Sequence, residues 1–384
     1  MAGSLAERTL ARPSFEAAFA APAFVRAMLE FESALAAAQA AEELIPADAA
    51  KAIAAACRDI RIDVEALVAE AKRSASLAVP LVRTLKEKVG KSYATHTHLG
   101  ATSQDVLDTA MALCLKTCLD ETDRALEAAV RALARRAREH RATAMLGRTL
   151  MQPALPITAG LKIARWAVAL ADDRERLAEA AGAGLAVQLG GAVGALEGMG
   201  ECGPAVRHRL AMALGLADAR AWHAHRNAWL DLLDRMGLVV ATAGKIARDV
   251  ALLSQPEVGE MLEAPPKEGV GSSSAMPHKR NPVGCAHALA AATRMPGLLA
   301  IVHAGAVSEH ERALGGWQAE LATVPQLADA LGSSVDFLEI VSSSLVVDAA
   351  RMKKNLDAHG EAGGKGDLAT ATDELLADLA PYLT

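Results

Sequence analysis

The sequence predicts an all-α protein built as a bundle of long helices. Three observations carry this. Hydrophobic residues make up 52% of the 384 residues but aromatics only 3%, and much of the apolar share is alanine and leucine, both strong helix formers. Apolar positions recur at three- and four-residue steps nearly everywhere, and no alternating run with a hairpin turn stands out. Breakers are sparse, which leaves long uninterrupted stretches between them.

The stretches follow in order. Phe24, Met28, Phe31 and Leu35 step by four, three and four, placing one apolar stripe on an early helix. Pro46 and Pro80 punctuate this first region. "THLGATSQD" (Thr97 to Asp105) is a polar loop entering a helix, with Thr102-x-x-Asp105 as a variant capping box. Leu126, Val130 and Leu133 continue the stripe until "GRTLMQPALP" (Gly147 to Pro156) interrupts it. "QLGGAVGALEGMG" (Gln188 to Gly200) is a glycine-rich turn region without the strand context of a dinucleotide fingerprint. Ile246, Val250 and Leu253 mark a further helix, and "EAPPKEGVGSSSAMPHKRNP" is the longest non-helical segment. The tail has a Gly-rich start and one short helix. These breaks divide the chain into an N-terminal helical domain (1–105), a central bundle (106–355) and a short C-terminal segment (356–384).

Composition excludes several functions. A net charge of −6 argues against nucleic acid, whose binding rests on neutralising phosphates with Lys and Arg. A local cationic pocket for a small anion is still compatible with that balance. No secretory leader or charge-free membrane span is evident, which predicts a cytoplasmic protein without a membrane partner. The five scattered cysteines do not form a disulfide framework. Cys114 and Cys118 lie one helical turn apart but lack a second ligand pair, so they read as core thiols rather than a metal site.

Several loops carry polar groups suited to chemistry. In "GSSSAMPHKRNP" (Gly271 to Pro282), Gly269 and Gly271 let backbone N–H groups converge as an anion nest. Ser272, Ser273 and Ser274 add hydroxyls, Lys279 and Arg280 add charge, and Asn281 adds an amide. A serine acts in proton transfer only where N–H groups and a cation stabilise its alkoxide, and this loop holds those parts. By composition alone it could equally be a solvated Gly/Ser loop. "THLGATSQD" offers His98, Thr102, Ser103, Gln104 and Asp105, or simply a helix cap with an incidental histidine. "GRTLMQP" offers Arg148, Thr149 and Gln152. In "AWHAHRN", His223 and His225 at i and i+2 would not share a helix face, which disfavours a metal. "SEHERALGGW" supplies Glu309, His310, Glu311 and Arg312.

The order of these loops is more specific than any one of them. "GSSSAMPHKRNP" resembles the Gly-Ser-Ser-x-Met-Pro-x-Lys-x-Asn-Pro signature of the fumarase/aspartase/argininosuccinate lyase superfamily. "HLGATSQDVLDTA" and "GRTLMQPALPITAG" resemble its two upstream blocks. "MLEFESALAAAQA", "AVPLV", "AWHAHRNAWLDL" and "EHERALGGWQAE" are similar to its lactone-forming cycloisomerase branch. The resemblance implies that fold, with a shortened C-terminal domain. It also implies a homotetramer with active sites shared between subunits, a small polycarboxylate substrate, and no metal or organic cofactor. Ser273 (or its neighbour Ser272) would transfer the proton, and Lys279 and Asn281 would stabilise charge. His98, Thr102, Ser103, Gln152, His278 and Arg312 would hold the substrate carboxylates.

Three positions depart from the lyase pattern. Leu150 stands where the lyases usually carry histidine after Gly-Arg-Thr. "SASLAVPLV" lacks the histidine that adenylosuccinate lyases carry there, and Asn227 stands where aspartate is common. Losing both histidines removes equipment for expelling a leaving group. Lactonisation needs less of it, because the substrate's own carboxylate is the nucleophile.

Overall fold

The computed structural model describes residues 5–264, 276, 279–359 and 367–383. Among them are fourteen α-helices. The N-terminal set is α1 (Leu5–Arg8), α2 (Pro13–Ala18), α3 (Ala21–Ala41), α4 (Ala47–Asp59), α5 (Val64–Ser74) and α6 (Ala78–Val89). The long bundle helices are α7 (Ser103–Glu139), α8 (Ala159–Gly184), α10 (Asn227–Leu253), α11 (Val283–Gly305) and α12 (Gly316–Ser344), with the shorter α9 (Gly203–Leu214) before α10. Helices α13 (Ala349–His359) and α14 (Thr370–Asp378) close the chain.

The helices start and stop as their sequences dictate. Thr102 is the N-cap of α7, and its backbone N–H donates to Asp105 Oδ2 at 2.9 Å, half of the expected capping box. Asp63 caps α5 and Thr158 caps α8 through their side chains. Small residues set the spacing inside the bundle: a Cβ added to Gly244 of α10 would lie 2.6 Å from the Ala292 Cβ of α11. The two helices can touch this closely only because neither brings a large side chain to the crossing.

Helices α7, α10 and α12 begin at one end of the bundle, where Arg226, just before α10, bonds Asp108 and Glu320. Helix α8 begins at the other end, with Gly160 N–H donating to the carbonyl of His140. Helix α11 returns toward the first end, so that Gly305 meets Gly316. The N-terminal helices pack on the side of α7, with Phe15, Met28, Phe31 and Leu35 joining one continuous core.

The absence of strands expected from the sequence is corrected in two places. "GRTLMQPALP" is not a break between helices but most of an antiparallel hairpin, β1 (Ala144–Thr149) and β2 (Gln152–Thr158). Leu150 and Met151 form its two-residue turn, both with positive φ (49° and 65°), as a type I′ turn requires. That turn normally uses Asn-Gly, so the usual signal is missing. A second pair, β3 (Met261–Glu263) with β4 (Leu345–Val347), is only three residues long. The boundaries expected at 105 and 355 both fall inside helices, α7 and α13. "AWHAHRN" is a bent, non-helical segment up to Asn227, and its histidines separate: His223 is buried and His225 exposed. Helix α11 is long and apolar enough to cross a membrane by length and composition, with a mean hydropathy of 1.4, yet only 28% of its apolar window is buried within the chain.

One buried ionic cluster ties the bundle's first end. Arg226 is 3% exposed and donates to Asp108 Oδ2 at 2.8 Å and Glu320 Oε2 at 2.9 Å. It also lies 4.4 Å over the Trp222 ring. Trp229 donates to Glu320 and Trp317 to Asp108, at 2.9 and 2.8 Å. Burial opposes the guanidinium's charge, but Asp108 and Glu320 outweigh it and hold its pKa above the ordinary value. Arg226→Leu would strand two buried carboxylates. It is expected to lower the unfolding free energy by about 3–5 kcal/mol, read as a lower midpoint in chemical denaturation.

Candidate active site

The first end of the bundle collects four of the expected site residues. His98, Thr102 and Ser103 lie on the loop entering α7, and Arg312 lies on the segment before α12. Arg312 Nη1 donates to Thr102 Oγ1 at 2.8 Å, and Nη2 donates to the Ala192 carbonyl at 2.8 Å. The glycine-rich segment thus sits between the two loops. Gly198 passes so close that an added Cβ would be 2.6 Å from Gly100 Cα, which leaves room only for glycine.

Asp105 organises this end. Buried completely, it accepts from Thr102, Gly190 and Gly191 backbone N–H groups at 2.9–3.0 Å and lies 2.7 Å from His223 Nε2. These partners come from three separate segments. His98 is held from the other side: its Nδ1 is 2.6 Å from Glu32 Oε1, and Gln39 donates to the neighbouring Leu99 carbonyl at 2.7 Å. Burial disfavours a charged His98, but Glu32 and then Asp105 outweigh it, so the imidazole's pKa is raised.

The opposite end carries the other candidates. Gln152 is exposed at the base of the β1–β2 turn, whose tip holds Leu150 at 95% and Met151 at 69% exposure. Arg148 anchors the hairpin through a two-point pair with the buried Glu260, at 2.8 and 2.7 Å. Lys279 and Asn281 are exposed just before α11, whose first N–H groups, Gly284 and Cys285, donate to Glu263 at 2.9 and 3.0 Å. Asn281 lines a cleft of about 560 Å³ with Arg280, Glu263, His287 and Ser343. Ser272, Ser273 and His278 lie outside the described residues. Among the described residues, no group of three or more His, Cys, Asp and Glu could hold a metal.

The separation of the two ends is large. Along α12, Ser343 of the Asn281 cleft lies 23 residues beyond Glu320 at the first end, which at ~1.5 Å per residue is about 35 Å. Within one chain, His98 and Arg312 cannot reach a ligand held by Asn281 or Gln152.

Sequence reasoning did not pick out Glu32 and Gln39, and it offered Asp105 and His223 only as polar members of their loops. A signal existed for two of them: Glu32 and Gln39 interrupt the apolar stripe of α3 at helical spacing, which a purely structural face would not do.

A long-helix bundle whose polar loops lie at both ends is the architecture of the fumarase/aspartase class. The family described as Lyase matches residues 7–297, and the chain belongs to that family. The chain is 46% identical over 338 residues to a 3-carboxy-cis,cis-muconate cycloisomerase of Bradyrhizobium diazoefficiens, covering 87% of this chain and 75% of that protein. It is 39% identical over 357 residues to a nitrosuccinate lyase of Streptomyces davaonensis, covering 90% and 75%. The crystal structure of a 3-carboxy-cis,cis-muconate lactonizing enzyme from Pseudomonas putida superposes with a TM-score of 0.85 at 38% identity, covering 92% of this chain and 80% of that one.

The hairpin tip yields a prediction. Two non-glycine residues at positive φ, both exposed, store strain that the isolated fold does not need. Replacing Leu150-Met151 with Asn-Gly is expected to stabilise the protein by about 1–2 kcal/mol. The same change should lower kcat/KM, measured alongside thermal unfolding.

Proposed function

We propose that the protein is a lactone-forming cycloisomerase of 3-carboxy-cis,cis-muconate, acting in the protocatechuate branch of the beta-ketoadipate pathway. Leu150 carries the choice. It occupies the exposed tip where lyases of the class usually place a histidine. An apolar tip cannot protonate a departing amine or hydroxide. Lactonisation has no departing group, so it tolerates leucine there.

The chemistry balances without a cofactor. A substrate carboxylate oxygen adds across the conjugated C=C and closes a five-membered ring. The π pair moves onto the neighbouring carboxylate as an aci-carboxylate, and a proton then returns to carbon, giving an isomer with no net oxidation. Ser273 is the proposed proton-transfer residue, and Lys279 and Asn281 stabilise the dianionic intermediate, a kind of stabilisation worth several kcal/mol in comparable sites. His98, Thr102, Ser103, Gln152, His278 and Arg312 hold carboxylates.

The separation of these residues between the two ends of the bundle supports a shared site. In a homotetramer, the first end of one subunit can meet the hairpin and signature loop of others. The under-buried apolar face of α11 supports assembly as well: an apolar helix left open in one chain needs a partner, and other copies of α11 are matched to it. The cytoplasm suits five free cysteines, four of them buried.

The decisive experiment is a spectrophotometric assay with 3-carboxy-cis,cis-muconate. Loss of diene absorbance with an NMR-identified lactone is the expected result. Fumarate release from adenylosuccinate at a comparable rate would instead make the protein a lyase of that type. Ser273→Ala is expected to cut kcat by at least about 10³-fold with the fold intact, and an unchanged rate would move the role to Ser272 or discard the mechanism. A His98→Asn chain mixed with a Ser273→Ala chain should recover up to roughly a quarter of wild-type activity, since random assembly leaves that share of shared sites intact. No recovery after verified mixing would place both residues of each site on one chain.

A further inference from the structure

We propose that Glu32 is a positioning residue for substrate binding: it clamps the Nδ1 side of His98 so that the ring presents a charged Nε2–H to a substrate carboxylate. The proposal rests on the reading of His98 as a substrate-binding residue and adds to it a partner from outside the signature loops.

The geometry carries the argument. Glu32 is 1% exposed on α3, among Met28, Phe31 and Leu35. A lone carboxylate in such surroundings is strongly disfavoured unless it is paired. Its Oε1 lies 2.6 Å from His98 Nδ1, while Oε2 has no hydrogen-bond partner among the described residues. One imidazole is therefore the direct partner of the buried charge. The ring's Nε2 has no hydrogen-bond partner among the described residues, and the side chain keeps 15% of its surface open. His98 also adopts φ +61°, a left-handed conformation that a non-glycine residue keeps only when its surroundings enforce it. Gln39, two turns after Glu32, secures that conformation through the Leu99 carbonyl. Helix α3 thus supplies both restraints, one on the ring and one on the backbone.

The charges facing the ring agree with this role. Burial works against protonation, Glu32 of α3 and Asp105 of α7 favour it, and Lys86 of α6 opposes it weakly. The balance raises the pKa of His98. Cys57 of α4 also lies in the field of Glu32, and burial together with Glu32 pushes its thiol up to about 12, so it stays neutral. His98 is therefore cationic below its raised pKa, and its hold on an anion is lost as pH rises through that value. Without the Glu32 charge, burial dominates. Asp105 alone then opposes burial, so the ring's pKa falls and its hold on the anion weakens, returning toward acid.

The test compares Glu32→Gln, Glu32→Asp and His98→Asn by steady-state kinetics from about pH 5.5 to about pH 9. Glutamine keeps an acceptor for Nδ1 but removes the charge. Glu32→Gln is expected to raise KM about tenfold near pH 7.5 with kcat nearly unchanged, and the deficit should shrink toward acid. Glu32→Asp should restore the wild-type shape of the KM profile. A KM deficit in Glu32→Gln that does not change with pH would reduce Glu32 to a structural role and overturn the proposal. If His98→Asn raises KM and Glu32→Gln does not, the proposal fails while His98 keeps its role. If His98→Asn leaves KM unchanged, the substrate-binding reading itself fails. ¹⁵N NMR of the wild-type imidazole needs no variant. A His98 titration midpoint above the ordinary imidazole value of about 6.5 is the expected result, and one at or below it overturns the proposal.

Discussion

A carboxylate removed from water must gather its partners from the chain, and Asp105 gathers four. The loop before α7, the glycine-rich segment and the non-helical run before α10 all terminate on it. One turn further along α7, Asp108 repeats the arrangement with Arg226, Trp317 and Gln104. Two acids on one helix therefore fix the relative position of segments more than a hundred residues apart in sequence. The loop that presents His98 and Thr102 is rigid for this reason, because its neighbours have no freedom to yield. Both oxygens of each acid have partners, and carboxylates satisfied in this way specify one arrangement.

The second constraint is length. A helix as long as α7 gives the bundle its core and also holds its two polar ends far apart. Fold and the proposed chemistry then make opposite demands on a single chain, and the proposed sharing of sites between subunits would reconcile them. Helix α11 leaves much of its apolar surface exposed. That helix lies between α10 and α12 on its buried side and presents alanine, leucine and isoleucine elsewhere, an arrangement suited to a protein surface and unsuited to water.

Much of this was legible in the sequence, for local reasons. The α7 cap could be read because Thr102 and Asp105 are three residues apart. The order of motifs named His98, Thr102, Ser103 and Arg312 in one set with Gln152 and His278, and did not show that Gln152 stands on the hairpin at the other end. Glu32 escaped because its partner lies 66 positions away, so its break in the apolar stripe was visible but had no assignable partner. The β1–β2 hairpin escaped because Leu150-Met151 carries neither glycine nor asparagine, the residues that normally announce its turn. The β3–β4 pair escaped because three residues are too few to show alternation. In each case the deciding information was a long-range contact or a strained backbone, and neither leaves a periodic trace.

The hairpin tip has a consequence for how such proteins diversify. The Leu150 side chain touches almost nothing in its own chain, so packing places no demand on its identity and only the left-handed backbone does. A residue with no structural duty can be exchanged without rebuilding the core around it. The frame that carries it, Arg148 paired to Glu260, can stay in place while the tip residue changes. A family could in this way move between expelling a group and closing a ring by rewriting one exposed position. The twist of the turn keeps that position aimed at the same point in space whichever side chain it bears.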